Sequence, residues 1–408
     1  MKILHLNYYE SQGGAAIAVQ RIHNALLAKN IDSQIIISKK NSNNPKVIGP
    51  NSTFEEILNL LKISFQRKLN KFSSLKTDFS QSYNLIPSNI LDKIKKNNPD
   101  ILHLHWIGNE MISIKQLSKI KIPIVWTLHD MWPYCASEHY THSDDYIYGY
   151  NKKNYYFIDF NYLAWKLKKK FLNNNINFVA TSNWQKNNLS KSFLYKNNYN
   201  QLIPLPIDTN FWRPIDKKVS RNILEIKTEK VILFGGDDFV SRKWKGFESI
   251  KTILKEANKN KLLSDTTFIF FGDDKNFLNE AKNFEINFKY FKNIAPNSYD
   301  LKLLYSASDL LLVPSSLESF GQLALEAMSC GIPTVCFDKT GVVDIIDHLK
   351  TGYISKENSI SDFINGINWC LDKKNSDFLF KNCINRTNEK FSSDKVAEMY
   401  IELYKKLI

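Results

Sequence analysis

A chain of 408 residues, 43% hydrophobic and 24% charged, has room for two or three domains and the composition of a globular protein, which excludes a disordered or fibrous one. No run reaches the ~18 apolar residues a membrane span needs; Met1–Asn7 is too soon interrupted for a signal peptide; and five cysteines (Cys135, Cys330, Cys336, Cys370, Cys383) without a C-x-x-C pair fit buried side chains in a reducing cytosol. The net charge of +14 sits on the first half: residues 1–206 hold 26 Lys+Arg against 13 Asp+Glu, residues 207–408 hold 29 against 28, so the first half is expected to meet an anionic surface or ligand.

In chain order, Lys2–Asn7 reads as a first strand and 8–16 as a loop holding Gly13 and Gly14. A helix follows from about Ile17 to Lys29, with Val19, Ile22, Leu26 and Leu27 on one face, and Ile35–Ser38 is the second strand. Gly13-Gly14-Ala15 at the helix start lets backbone amides approach a phosphate, although a plain tight turn has the same appearance. Phe54–Lys76 is amphipathic, with Ile57, Leu58, Leu61, Phe65, Leu69 and Phe72 on one side and Lys62, Arg67, Lys68 and Lys71 interleaved. It reads as a surface helix packed on the sheet or as one lying on an anionic membrane face. Tyr162–Leu172, with Trp165, Lys166, Lys168, Lys169 and Lys170, repeats that pattern. Short strands at Ile101–Trp106 and Ile124–Thr127 end in polar and aromatic residues, among them His105 and His129, while His103 and His105 fit buried, hydrogen-bonded roles equally well. Cys135, His139 and His142 offer three ligand types but no fourth, so a metal there is disfavoured against a loop over 141–160. Phe178–Ser182 is a strand, Ser182 or Asn183 caps the helix after it, and Leu202–Ile207 closes the first half. Pro204, Pro206 and Pro214 then mark a stiff connection.

The second half starts again with a strand, Lys230–Phe234, followed by Gly235-Gly236-Asp237-Asp238 and a basic loop with Arg242, Lys243 and Lys245-Gly246 before a helix from Phe247. Cations beside a helix start can clamp a diphosphate. Phe268–Phe271 is a strand ending in Gly272-Asp273-Asp274; neither acidic pair is a D-x-D arrangement for a divalent metal. From Leu310 to Val335 a strand, a turn and a helix place Glu318 in the turn and Glu326 inside the helix. In a parallel sheet such turns lie at the carboxyl ends of strands, where ligands bind; two carboxylates can take hydroxyls and helix amides an anion, as a sugar nucleotide would ask. A helix from Gly341 and a helical tail from Ser359 complete the chain.

Pro314, Ser315, Glu318, Phe320, Gly321, Glu326, Ala327, Gly331 and Pro333 together resemble the Glu-x7-Glu signature of retaining GT-B glycosyltransferases, family 4 in particular. T-L-H-D-M-W-P-Y with His139-Tyr140 is similar to bacterial members of the colanic-acid and exopolysaccharide type, although the cysteine cluster such proteins often carry next is missing here. The run I-P-L-P-I-D-T-N-F-W-R-P resembles the family's interdomain linker, and Lys245-Gly246 its diphosphate-binding pair. The resemblance implies an α/β fold of GT-B architecture, two Rossmann-like domains facing across a cleft: 1–206 on the acceptor side, 207–393 for the nucleotide sugar, and 394–408 as a helix returning to the first domain.

It also implies the roles. Glu318 and His129 are the expected catalytic residues, one holding sugar hydroxyls near the anomeric carbon and the other contacting the sugar from the first domain. Gly14, Arg242, Lys245, Phe320, Gly321, Gln322 and Glu326 are the expected donor-binding set, with Glu326 on the ribose and Arg242 and Lys245 on the diphosphate. Many members carry the arginine directly after the strand, where this chain has Gly236-Asp237; Arg242 is the substitute and Lys243 the runner-up. The expected reaction moves a hexose from a nucleoside diphosphate sugar, UDP- or GDP-linked, to a glycan or lipid-linked glycan with retention, without cofactor or metal, in surface polysaccharide synthesis. The expected place is the cytoplasm, with peripheral membrane contact through the basic half and no nucleic-acid partner. A GT-B sugar-nucleotide epimerase and a non-catalytic GT-B partner subunit are the alternatives.

Overall fold

The computed structural model of the chain describes residues 1–71, 77–152, 158–172, 176–198, 200–236, 238–259, 265–272 and 286–408. Residues 72–76 of the first basic segment, 153–157 of the expected loop, and Asp237, Asp273 and Asp274 lie outside them. Contacts divide the chain into two compact units, Met1–Pro206 with Val396–Ile408, and Ile207–Lys395.

The first unit holds seven parallel strands: β1 (Lys2–Leu6), β2 (Asp32–Ile36), β3 (Val47–Ile48), β4 (Ile101–Leu104), β5 (Ile124–Leu128), β6 (Ile176–Ala180) and β7 (Asn200–Leu202), in the order β3-β2-β1-β4-β5-β6-β7. Every residue of β4 and β5 is buried, as expected of strands covered on both faces. One face carries the apolar core, with Leu4, Leu6, Leu102, Leu104, Trp126, Leu128 and Phe178. The side chains that alternate with these include His5, His103 and Thr127, so the opposite face has a polar centre. The Ser393–Leu407 helix satisfies part of it: Tyr400 Oη lies 2.9 Å from Thr127 Oγ1 and Tyr404 Oη 2.7 Å from His103 Nδ1.

The second unit repeats the winding with six parallel strands: β8 (Lys230–Gly235), β9 (Thr266–Phe271), β10 (Asn287–Phe291), β11 (Leu310–Val313), β12 (Thr334–Phe337) and β13 (Gly352–Ser355), in the order β10-β9-β8-β11-β12-β13. In each sheet the strand order reverses beside the first strand, between β1 and β4 and between β8 and β11. Loops leaving such neighbours at their carboxyl ends diverge and leave a crevice, the usual place for a ligand in open α/β sheets.

Two local expectations change. The last strand of the first unit stops at Leu202, because Pro204 and Pro206 have no N–H to give a ladder; only Ile203 continues, donating to the Ala180 carbonyl at 3.0 Å. Gly341–Asp344 is a 3₁₀ turn, not the start of an α-helix, and the tail is three helices, Ile360–Leu371, Lys373–Lys390 and Ser393–Leu407. Of the two expected caps, Ser182 or Asn183, Ser182 is the one used: its hydroxyl accepts the Gln185 amide at 3.2 Å. The two basic amphipathic segments differ. In the Phe160–Phe171 helix Trp165 and Lys168 face inward, so only Lys166, Lys169 and Lys170 of that basic run stay on the surface. In the Thr53–Lys71 helix the apolar stripe faces out: Phe54, Ile57, Leu60, Leu61 and Phe65 are each 50–69% exposed.

Candidate active site

In the second unit, the loop after β8 ends in a 3₁₀ turn, Lys243–Lys245, and then Gly246, whose φ of +86° only glycine adopts easily. A Cβ on Gly246 would stand 2.0 Å from the Pro314 carbonyl oxygen, so this backbone presses directly on the turn after β11. The Ser316 amide donates to the Trp244 carbonyl at 2.8 Å and joins the same two loops. The turn after β12 is fixed in kind: the Gly341 amide donates to the Glu318 carbonyl at 2.7 Å, and a Cβ on Gly341 would lie 2.0 Å from the Ser319 oxygen. Three loops from three neighbouring strands are thus locked by backbone contact.

The result is an ion pair, Lys245 Nζ to Glu318 Oε2 at 2.6 Å, with side chains 26% and 18% exposed. The cation expected on a diphosphate and the carboxylate expected on a sugar meet beside the β8–β11 reversal. Gly321, at φ +103°, turns the chain into the Gln322–Ser329 helix, whose first turn has neither an acidic residue nor a side-chain cap. A helix start of that kind presents a positive end to an anion. Phe320 is buried with its ring against Phe391, so it offers its backbone. Glu326 is also buried, on the helix, and accepts a hydrogen bond from Tyr305 Oη at 3.0 Å. Tyr305 had no sequence signal beyond an apolar helix position, and it holds this carboxylate in place. Arg242 is engaged elsewhere: its guanidinium meets Asp238 Oδ2 at 2.8 Å in an exposed i,i+4 pair.

In the first unit, Gly14 is the second residue of the Gly13–Ala28 helix that follows the β1 loop, and again no acidic residue stands in the first turn. His129 follows β5 directly and is half-buried. Its Nε2 lies 2.9 Å from His105 Nδ1, and burial lowers its pKa to about 4, against the opposing pull of Asp130, so it is neutral at pH 7. Nearby, Ser82 Oγ, His139 and Asp130 line up at 2.8 Å and 2.5 Å in the order of a serine hydrolase triad. Ser82 is 1% exposed and its oxygen already accepts the Asn109 amide at 3.0 Å, so this set is a buried strut and no nucleophile. Trp106 stacks on His139 and Tyr9 on Trp106, which makes an aromatic floor over the carboxyl ends of β1 and β4. Lys168, wholly buried, donates to the Trp132 and Cys135 carbonyls at 2.5 and 3.0 Å and lies over the Trp132 ring, pinning the loop that follows His129. Cys135, His139 and His142 do not converge as metal ligands among the described residues.

Comparison with known proteins agrees with this fold. The family described as Glycosyltransferase Family 4 matches residues 12–211, and Glycosyl transferases group 1 matches residues 216–388. By fold and by both matches, the chain belongs with the GT-B glycosyltransferases. This glycosyltransferase is 23% identical over 381 residues to an uncharacterized 41.2 kDa protein in the cps region of Klebsiella pneumoniae, covering 90% of this chain and 94% of that one. It is 25% identical over 213 residues to the Escherichia coli UDP-Gal:alpha-D-GlcNAc-diphosphoundecaprenol alpha-1,3-galactosyltransferase, covering 50% of this chain and 54% of the other. Among solved structures, Anabaena HepE in complex with UDP-glucose superposes with a TM-score of 0.66 at 19% identity over the whole of both chains. The glycosyltransferase therefore has relatives in bacterial polysaccharide synthesis, and no helix among the described residues is long and apolar enough to cross a membrane.

Proposed function

We propose that the protein transfers a hexose from a UDP- or GDP-sugar to a hydroxyl of a glycan or lipid-linked glycan, with retention and without a metal ion or cofactor. The observation that carries this reading is the Lys245–Glu318 pair at the strand-order reversal of the second sheet. A leaving diphosphate develops charge, and Lys245, with the start of the Gln322–Ser329 helix, supplies fixed positive charge for it. Arg242 adds a second cation when it exchanges Asp238 for phosphate. Glu326, held by Tyr305, takes ribose hydroxyls, and Glu318 takes those of the sugar. Phe320, Gly321 and Gln322 contribute backbone at the turn, Gly14 does the same in the first unit, and neutral His129 hydrogen-bonds the sugar.

A thermal-shift screen tests this reading. One of UDP-glucose, UDP-galactose, GDP-, ADP- and dTDP-sugars is expected to raise the melting temperature, since about 100-fold excess over Kd adds about 2.7 kcal/mol. A folded protein that none of them stabilises would end the proposal. The ligand that binds should then be consumed equally with and without EDTA, giving a product with the donor's anomeric configuration by NMR. Epimerised donor formed without any acceptor would instead favour the epimerase.

A lipid-linked acceptor fits the exposed stripe of the Thr53–Lys71 helix, whose last turn holds Lys68 and Lys71. Apolar side chains above basic ones suit the interface of an anionic bilayer. The protein is expected to sediment with phosphatidylglycerol vesicles and not with phosphatidylcholine ones. Leu61→Asp combined with Phe65→Asp should weaken that binding at least tenfold without lowering the melting temperature; equal sedimentation of the variant would remove the membrane from the proposal.

A further inference from the structure

Histidines of the first unit are strung together: His23 against His5, His5 against His103 and His105, and His105 against His129. Within this string, three rings form a hydrogen-bonded chain. His5 Nδ1 lies 3.0 Å from His105 Nε2, and His105 Nδ1 lies 2.9 Å from His129 Nε2. Both nitrogens of His105 are therefore spent on other imidazoles. At the far end, buried His5 Nε2 has no hydrogen-bond partner among the described residues. At the near end, among the described residues, His129 Nδ1 is the nitrogen of these three rings left to face a ligand.

A neutral imidazole carries one N–H, and each link needs one donor and one acceptor. If the His105 proton is on Nδ1, it donates to His129 Nε2, so His129 carries its own proton on Nδ1. His105 Nε2 then accepts from His5 Nδ1, and His5 Nε2 is bare. If the His105 proton is on Nε2, every assignment reverses. Three separate tautomer choices collapse to one. All three rings are neutral, because burial holds His5 and His105 well below the ordinary histidine range and His129 at about 4.

We propose that His105 and His5 are positioning residues that lock His129 into the tautomer they share, and so decide whether His129 offers the sugar a hydrogen-bond donor or an acceptor. This rests on the reading of His129 as a sugar contact. A single ring at the end of β5 would interchange tautomers freely; here a change at His129 must carry His105 with it and end at His5 Nε2, which has nothing to bond to in either state. The same histidines make a poor metal site. His5, His103 and His105 bring nitrogens within 4.8 Å of one another, but His103 spends its two on Thr127 and Tyr404, and among the described residues no carboxylate or thiol completes the group.

The test is long-range ¹H–¹⁵N correlation on ¹⁵N-histidine-labelled full-length protein at pH 7. His5, His105 and His129 are expected to show one tautomer in common, and saturating UDP-glucose should leave them in agreement. In His105→Phe, the His129 nitrogens should move to the averaged shifts of interchanging tautomers while His139 stays unchanged. The KM for the donor sugar should rise about tenfold, the loss of one hydrogen bond, with affinity for UDP alone unaltered. Should that variant fail to fold, the wild-type spectrum decides by itself. Different tautomers among the three rings, an imidazolium at any of them, or stoichiometric Zn²⁺ uptake that removes their signals would overturn the proposal. If no nucleotide sugar binds, the sugar-contact reading fails while shared tautomers remain; mixed tautomers with binding intact defeat this proposal alone.

Discussion

Lys245→Ala is expected to lower kcat/KM for the donor by about 10²–10³-fold, the usual cost of removing one fixed charge from a developing anion. The same change should barely move the melting temperature. The Lys245–Glu318 pair is partly open to water, with side chains 26% and 18% exposed, and such pairs add about 1 kcal/mol or less to stability. Activity and stability therefore separate, which a merely structural pair would not allow. Glu318→Gln should also be strongly impaired, and the double variant should lose less than the product of the two single losses, because groups acting on one ligand are not additive. Lys245→Arg keeps the charge but changes the donor geometry, so partial recovery is expected. Steady-state rates with the nucleotide sugar that stabilises the protein are the check; a Lys245→Ala enzyme within threefold of the parent would sink the assignment.

The first unit is expected to unfold in mild acid, between about pH 6.5 and 4, before most carboxylates protonate. His23 is fully buried, and its pKa falls from 6.5 to about 4, first through burial and then through the Lys46 charge. Between those two values the unfolded chain binds a proton that the folded chain refuses. Stability is then complete above 6.5, drops as the pH falls, and has lost about 3 kcal/mol from this residue alone by pH 4. His5, His103 and His105 are pushed the same way by burial and by one another, and their losses add to it. A domain is stable by only about 5–15 kcal/mol, so a few such residues are enough. Tryptophan fluorescence and circular dichroism along a pH series measure the transition. His23→Asn, which keeps an amide near the Ser33 hydroxyl that His23 Nδ1 meets at 2.6 Å, should move the midpoint to lower pH. A midpoint below pH 4 in the parent protein would contradict the prediction.

Most strands were legible because parallel strands buried on both faces read as short apolar runs, and Phe268–Phe271 and Leu310–Val313 are such runs. The turn after β11 was legible for another reason: its Gly, Pro and Glu spacing carries a family pattern. What stayed hidden depends on contacts between distant loops. Lys245 and Glu318 are 73 residues apart, and the close approach of Gly246 to Pro314 with the Ser316–Trp244 hydrogen bond pairs them. Arg242 read as a diphosphate cation, while Asp238, four residues earlier on the same turn, holds it on the surface. Periodicity finds an apolar helix face but not which way it points, so the Thr53–Lys71 and Phe160–Phe171 helices looked alike and differ in the fold. His5 alternated with leucines in β1 and gave no sign of a partner, because His105 lies a hundred residues away.

The helix carrying Tyr400 and Tyr404 has a consequence for biosynthesis. The first unit is assembled from two separate pieces of chain, 1–206 and 396–408, with the whole second unit translated between them. While a ribosome is making residues 207–395, the nascent first unit has Thr127 and His103 without the tyrosine hydroxyls that later meet them. Domains usually fold as they emerge, amino-terminal first. Here the amino-terminal one must wait in an unfinished state while residues 207–395 are made. A fragment expressed as residues 1–206 alone would stay in that state, and chaperone demand during synthesis should fall on that half of the polypeptide.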